Sequence, residues 1–541
     1  MAAANANEWW RGAALYQIYP RSFSDSNGDG LGDLAGIAAK LDYVAKLGVD
    51  AIWISPFFKS PMKDMGYDVS DYCDVDPSFG TLADFDALMT RAHQLGLRVI
   101  IDLVLSHTSD KHPWFVESRK DKANLRADWY VWADPKPDGT PPNNWLSIFG
   151  GVAWAWDARR RQYYMHNFLV EQPDLNFHNA DLRAELLTIV KFWLHRGVDG
   201  FRLDTVNFYF HDALLRDNPP SASRAAPDVP AANPYTYQDH VYDKTRPENL
   251  LFLKDLRALL DRYPEKTTVG EVGAGERGLK VMGEYTAGGD KLNMCYAFDL
   301  LSDKFSARYI RERLEVYEKI VVDGWGCWAF ANHDVPRAIS RWGFDDVADQ
   351  AAPLLVALLI SLRGTPCIYE GEELGLSEAE LSYDEIQDPY GKTFWPDFKG
   401  RDGCRTPMPW DSSEGAGFTT GKPWLPIPAA QRARSVAAQE ANENSVLNRV
   451  RALTAWRRGV PALIRGDMTF HDAEEPVLGL SRKLDGRELL CVFNLGRGAQ
   501  TFDAARFGTI APLEGHGFAS TLKGGVIALP PFAAFYGWAA N

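Results

Sequence analysis

The sequence is poor in cysteine: six in 541 residues, namely Cys73, Cys295, Cys327, Cys367, Cys404 and Cys491. No two of them form a Cys-x-x-Cys pair, which speaks against a zinc site and against a disulfide framework. The apolar surroundings of Cys295, Cys327 and Cys367 point instead to buried free thiols. No apolar run approaches the length of a membrane span. Met1 to Glu8 carries neither the basic nor the apolar segment of an export signal, so a cytoplasmic protein with no membrane partner is expected. Positive charge is also in deficit. The net charge of −14 disfavours nucleic acid and anionic membranes as partners and suits a neutral or cationic small molecule. Internal repeats and low-complexity segments are missing too, which excludes solenoids and disordered tracts.

Apolar material is plentiful. Hydrophobic residues make up 46% of the chain, with 18 Trp, 21 Tyr and 28 Phe, enough for two or three domains with large cores. Short β-like runs alternate with helical patterns. The runs are Ala13–Tyr19, Ala51–Ser55, Val99–Leu105, Gly200–Val206, Thr267–Val272, Leu292–Phe298, Gly326–Phe330 and Cys367–Tyr369. Amphipathic stretches such as Leu34–Leu47, Leu82–Leu95, Leu182–Leu194 and Leu250–Leu260 lie between them. This repetition is the pattern of a parallel sheet, and its count suits a closed (β/α)8 barrel, an α/β fold.

Two irregular regions interrupt the pattern. Residues 106–176 are polar and rich in Pro and Trp, and read as a subdomain inserted after strand three. Residues 377–430 follow strand eight, and loops this long are usually functional. From about residue 466 short alternating runs take over, as in an antiparallel β domain. The expected division is therefore 1–105 and 177–465 for the barrel, 106–176 for the insert and 466–541 for the C-terminal domain. The Ala/Pro-rich stretch Pro219–Asn233 reads as a flexible part of the loop after strand four.

Catalytic residues of such barrels sit at the C-terminal ends of strands. Strand three ends in Asp102-Leu103-Val104-Leu105-Ser106-His107. Strand four carries Arg202-Leu203-Asp204-Thr205, strand five ends in Glu271, and strand seven runs into Asn332-His333-Asp334. Ionised groups at the ends of apolar strands are costly to bury singly, so their convergence at one mouth points to chemistry.

These segments resemble the signature regions of the α-amylase superfamily, glycoside hydrolase family 13. The resemblance implies Asp204 as nucleophile, Glu271 as general acid/base and Asp334 as stabiliser of the transition state. Arg202 would keep Asp204 ionised, and Glu271 should be held protonated by nearby negative charge and partial burial. His107 and His333 resemble the histidines that hydrogen-bond sugar hydroxyls, and Asp102 is expected to orient His107 or its loop. Gln172-Pro173-Asp174-Leu175-Asn176 resembles a segment of the oligo-1,6-glucosidase and α-glucosidase branch. Asp64-Met65-Gly66-Tyr67-Asp68 resembles the stretch whose Asp and Tyr line the −1 subsite. Gly400–Trp410 resembles the segment that supplies an arginine partner for that Asp, Arg401 rather than Arg405 here. Such a pair closes a pocket behind the terminal glucose and makes the enzyme exo-acting. Thr205, directly after the nucleophile, resembles the maltose-preferring members and implies α-1,4 over α-1,6 linkage. Phe149 and Phe168 are the expected sugar-stacking rings. Trp114, Trp145, Phe208 and Tyr209 lie on the same mouth-side loops, and His166 and His178 read as loop hydrogen-bonders.

The expected activity is thus a retaining exo-α-glucosidase acting on small α-glucosides, with transglucosylation possible from the same intermediate. Isomaltase, a sucrose-acting transferase, and a non-catalytic relative are the alternatives. No Arg-rich segment like that of sucrose isomerases stands at Ile339–Asp346. Asp25-Ser26-Asn27-Gly28-Asp29-Gly30-Leu31-Gly32-Asp33 places oxygen ligands at every second residue, so Asp25, Asn27, Asp29, the Leu31 carbonyl and Asp33 suit Ca²⁺ or Mg²⁺. Gly36 stands where an EF-hand would have its closing Glu, so the loop is not an EF-hand. In the resembling family this loop binds a structural divalent ion. No organic cofactor is expected.

Overall fold

Parallel strands covered on both faces must be apolar along their whole length. The computed structural model, which describes residues 8–222 and 229–540, builds its barrel from such segments. The strands are β1 (Leu15–Ile18), β2 (Ala51–Ile54), β3 (Arg98–Leu103), β4 (Gly200–Leu203), β5 (Thr267–Val272), β6 (Met294–Ala297), β7 (Cys327–Trp328) and β8 (Thr365–Tyr369). Apart from Arg98 at the start of β3, every residue in them is buried. They pair in the order β6-β5-β4-β3-β2-β1-β8-β7. A parallel bridge from Cys295 on β6 to Gly326, just before β7, closes the ring.

A helix follows each strand: α1 (Leu34–Lys46), α2 (Leu82–Gln94), α3 (Ala180–His195), α4 (Asn249–Leu260), α5 (Gly278–Thr286), α6 (Ala307–Ile320), α7 (Ala348–Leu359) and α8 (Val446–Arg458). Side-chain caps define several starts. Thr81 and Asp84 form a reciprocal capping box on α2, and Asp33 accepts the Gly36 amide at the head of α1. Nearly all of α7 is buried, because it lies between the barrel and the C-terminal sheet. Tyr536 in that sheet meets Ser361 at 3.0 Å, and Arg482 donates to the Ser361 carbonyl at 2.8 Å.

Within residues 106–176 lies a three-stranded antiparallel sheet of Trp132–Ala133, Gln162–Met165 and Trp154–Asp157. A short helix, Pro113–Ser118, stands where only irregular chain was expected. Trp114 packs on Trp129 with ring centres 4.9 Å apart, and Trp145 stacks on Trp154 at 5.8 Å. Both fill the insert rather than reach sugar.

The chain after β8 crosses itself: a Cβ on Gly400, whose φ is +85°, would lie 2.8 Å from the Gly391 Cα. That crossing lets Asp388 accept the Arg401 amide at 2.8 Å. Of the Ala/Pro-rich stretch, residues 223–228 lie outside the described residues. Its far end is anchored, with Asn233 Nδ2 donating to the Ile148 carbonyl at 2.7 Å and to Tyr390 Oη at 3.1 Å. All six cysteines are free, and all but the half-buried Cys73 are buried. Among the described residues no helix is long and apolar enough to cross a membrane.

Candidate active site

The register of β3, β4 and β5 sets Arg202 beside Asp102 and Val269, one residue below the barrel mouth. Its guanidinium is 1% exposed and binds three carboxylates. Nη1 lies 2.8 Å from Asp102 Oδ1 and 2.8 Å from Asp204 Oδ1, while Nη2 lies 2.7 Å from Glu271 Oε2. Tyr296 Oη accepts a further bond from Nη2 at 2.9 Å. A buried guanidinium is tolerable only with such partners, and each partner depends on it in turn.

Two expectations need correction here. Asp102 does not orient His107; it takes Arg202 on both oxygens and also accepts from Trp53 Nε1 and Tyr67 Oη, each at 3.3 Å. Nor does Arg202 alone keep Asp204 ionised. Its single charge is divided among three carboxylates, and burial raises the Asp204 carboxyl against its pull. Burial likewise raises Glu271, opposed by Arg202 and reinforced by Asp204 and Asp334. The direction for Glu271 is the expected one, but burial leads and neighbouring charge follows. One cation facing three carboxylates leaves the cluster with two surplus negative charges, which favours uptake of a proton, and Glu271 is placed to hold it.

Beyond β4 the backbone turns left-handed at Thr205, with φ +39°, an unusual state for a β-branched residue. The turn aims the Thr205 amide at Glu271 Oε2, 3.0 Å away. Asp334 stands across the mouth, its Oδ1 3.3 Å from Arg401 Nη1 and 3.1 Å from Arg405 Nη2. Burial would raise its carboxyl, but His333, Arg401 and Arg405 outweigh it and hold it well below the usual range.

Asp64 and Arg401, 337 residues apart, meet at 2.9 Å. Arg405 does not compete for Asp64; it donates to the His333 carbonyl at 2.7 Å and to Asp334. The sequence reading missed Asp388, which accepts from Arg401 Nη2 at 2.7 Å. Burial acts on Asp388, yet Arg401 prevails and holds its carboxyl at about 2. Asp64 also accepts from Gln172 Nε2 at 3.1 Å, so the Gln172–Asn176 segment buttresses this wall.

A cavity of about 510 Å³ opens between these groups. Asp64, Tyr67, His107, Phe149, Phe168, Asp204, Glu271, Asp334 and Arg401 line it, together with Thr205 and Phe208. Arg202 and His333 are not among its lining residues and support the wall from behind. His333 Nε2 meets Tyr67 Oη at 2.5 Å, while its Nδ1 faces Gln17 Nε2 at 2.7 Å. One face of Phe149 is taken by Tyr390, at 4.7 Å and 18°. Tyr209 is core, stacked on Phe177 at 4.6 Å. His166 and His178 bond the carbonyls of Phe168 and His211. Farther along its lining stand the apolar Val229, Pro230, Phe298, Leu301, Val335 and Phe398 beside the polar Ser302, Asp303 and Arg341.

Far along the chain from these residues, the 25–33 loop winds on its own side chains. Asp25 accepts the amides of Asn27, Gly28 and Gly30 at 2.7–2.9 Å, Asn27 that of Asp29 at 2.9 Å, and Asp29 that of Leu31 at 2.8 Å. Asp33 accepts from Ser26 and Gly36. Among the described residues no three Asp, Glu, His or Cys side chains cluster closely enough to hold a metal by themselves. The side-chain oxygens of this loop are nonetheless of the kind a hard cation prefers.

The chain is similar to known proteins over nearly its whole length. The family model described as Alpha amylase, catalytic domain, matches residues 17–466. A probable alpha-glucosidase of Rhizobium meliloti (strain 1021) is 58% identical over 534 residues, 98% of this chain and 97% of that protein. An oligo-1,6-glucosidase of Heyndrickxia coagulans is 38% identical, covering 92% of this chain and 94% of its own. The crystal structure of the alpha-glucosyl transfer enzyme XgtA matches with a TM-score of 0.97 at 56% identity, over 98% of this chain and 99% of that one.

Proposed function

The chain belongs to the alpha-amylase family of glycoside hydrolases, and from that premise we propose a retaining, exo-acting α-glucosidase that removes terminal α-1,4-linked glucose from short oligosaccharides such as maltose. In this reading Asp204 attacks the anomeric carbon while Glu271 gives its proton to the leaving oxygen. Asp334 faces the positive charge that develops on the ring. Water then resolves the glucosyl-enzyme, with Glu271 taking the proton back. The retaining course is supported by the shared guanidinium. Asp204 and Glu271 grip its two ends from adjacent strands, which run about 4.8 Å apart. Two carboxylates bonded to one guanidinium stand side by side at the barrel mouth, as a nucleophile and an acid acting on one glycosidic bond must.

The exo reading is carried by the Asp64–Arg401–Asp388 network, which stands as a charged wall beside the reacting groups and would bind the terminal sugar. Asp64→Ala should lower kcat/KM on maltose by about 100-fold, since removing one partner of a buried charged pair typically costs about 2–5 kcal/mol. A variant with an unaltered circular dichroism spectrum and unaltered maltose kinetics would refute the closed pocket. Linkage preference rests on Thr205. Purified protein should release α-glucose from maltose far faster than from isomaltose, with product anomers resolved by NMR. The reverse order would overturn the α-1,4 assignment and leave the mechanism intact. Transfer of the glucosyl group to a small alcohol in place of water is a second outcome of the same intermediate, supported by the likeness to an alpha-glucosyl transfer enzyme.

We also propose that the 25–33 loop holds a structural Ca²⁺ or Mg²⁺ ion. Adding either to chelator-treated protein should raise Tm by about 1 °C for each kcal/mol of binding linkage. An Asp29→Ala variant should lose that response, and a wild-type Tm indifferent to both metals would reject the site.

A further inference from the structure

The two oxygens of Asp204 are held unequally. Oδ1 takes Arg202 Nη1 at 2.8 Å, whereas Oδ2 has only the Thr205 hydroxyl at 3.3 Å. That same hydroxyl lies 3.0 Å from Ser106 Oγ at the end of β3. Thr205 carries one hydroxyl proton, so it can serve one of these acceptors at a time. Ser106 in turn meets His107 Nδ1 at 2.9 Å. His107 Nε2 lies 3.0 Å from the Tyr67 carbonyl, which can only accept, so Nε2 carries the ring proton and Nδ1 accepts from Ser106. Gln172 Nε2, 3.1 Å from the same ring nitrogen, donates to Asp64 instead. Ser106 therefore gives its own proton to His107 and turns a lone pair to Thr205. All three groups are fixed in place. Ser106 and His107 are buried, and Thr205 is locked by its left-handed turn and by the bond from its amide to Glu271.

We propose that the Thr205 hydroxyl is a two-position donor, bonded to Asp204 in the free enzyme and to Ser106 in the glucosyl-enzyme. This rests on the retaining reading above. The oxygen not gripped by Arg202 is the one free to attack. When Oδ2 forms its bond to the anomeric carbon, the bond to the leaving oxygen breaks and Glu271 supplies that oxygen with a proton. The carboxylate charge is then gone, and the Thr205 proton swings to Ser106. On hydrolysis the charge returns to Asp204, and the proton swings back to stabilise the departing carboxylate. Thr205 and Ser106 are positioning residues; neither needs to touch the reacting carbon.

The two positions predict opposite defects. Thr205→Val keeps the branched shape but withdraws the donor from the returning carboxylate. Hydrolysis of the intermediate should slow, so kcat on 4-nitrophenyl α-glucoside falls about three- to tenfold while kcat/KM is held, and a burst of nitrophenol appears. Ser106→Ala leaves the Thr205 proton no second acceptor. Formation of the intermediate should slow, so kcat/KM falls by a similar factor and no burst appears. Both variants losing kcat and kcat/KM in parallel, or neither changing, would overturn the two-position donor. Product stereochemistry in the wild type separates this from the parent reading. An α-anomer product with unsplit variants rejects the donor alone, while a β-anomer product rejects retention and the donor with it.

Discussion

Asp204→Asn should lower kcat by about 10,000-fold or more on maltose and on 4-nitrophenyl α-glucoside alike. The loss is independent of the leaving group because both substrates need the same covalent bond to form. An amide oxygen is a poor nucleophile, and its attack would give a protonated imidate in place of a neutral glycosyl ester. The fold should tolerate the change. Arg202 keeps Asp102 and Glu271 as partners, so its charge remains compensated. Removing one carboxylate also weakens the repulsion that helps to raise Glu271, so that group should ionise at lower pH in the variant. The measurement is steady-state kinetics on protein whose melting curve matches the wild type. Retention of more than about 1% of kcat would place the nucleophile elsewhere.

The barrel was legible because parallel strands buried on both faces read as unbroken apolar runs. Each of the eight runs contains or overlaps its strand in the structure, from Ala51–Ile54 at β2 to Thr365–Tyr369 at β8. Helices α1, α2, α3 and α4 were legible by their amphipathic spacing. Helix α5 was not, since its short sequence from Gly278 to Thr286 contains two glycines and is buried on most sides. The strand-end carboxylates were legible by position, whereas their partners were not. Nothing near Asp388 in the sequence marks it, because its role comes from a loop crossing at Gly391 and Gly400. The Asp64–Arg401 contact spans 337 residues, and only the family resemblance joined those two segments. Proximity in sequence misled for Asp102. Five residues before His107, it invites pairing with that ring, yet the strand register turns it to Arg202 on the neighbouring strand.

Glu271→Gln should separate substrates by leaving group. A glucose leaving from maltose is a poor alkoxide and needs a proton in the transition state, so kcat/KM should fall by about 100- to 10,000-fold. Nitrophenolate leaves without one, so formation of the intermediate from the aryl glucoside should be nearly unimpaired. Its hydrolysis still needs a base to activate water, and the substituted amide would provide none, so turnover should stall after a burst. In the wild type Glu271 acts as an acid only while protonated, and burial, Asp204 and Asp334 raise its carboxyl. Activity on maltose should therefore persist through neutral pH and decline on the alkaline side as Glu271 ionises. On the acid side it should decline as Asp204 becomes protonated, at a pH above the ordinary aspartate range because burial raises that group too. In Glu271→Gln the alkaline decline of the residual kcat/KM on maltose should vanish while the acid decline remains, since Asp204 is still the nucleophile. An alkaline limb that survived the substitution would assign the proton to a different group, and equal losses on maltose and the aryl glucoside would remove Glu271 from the acid role.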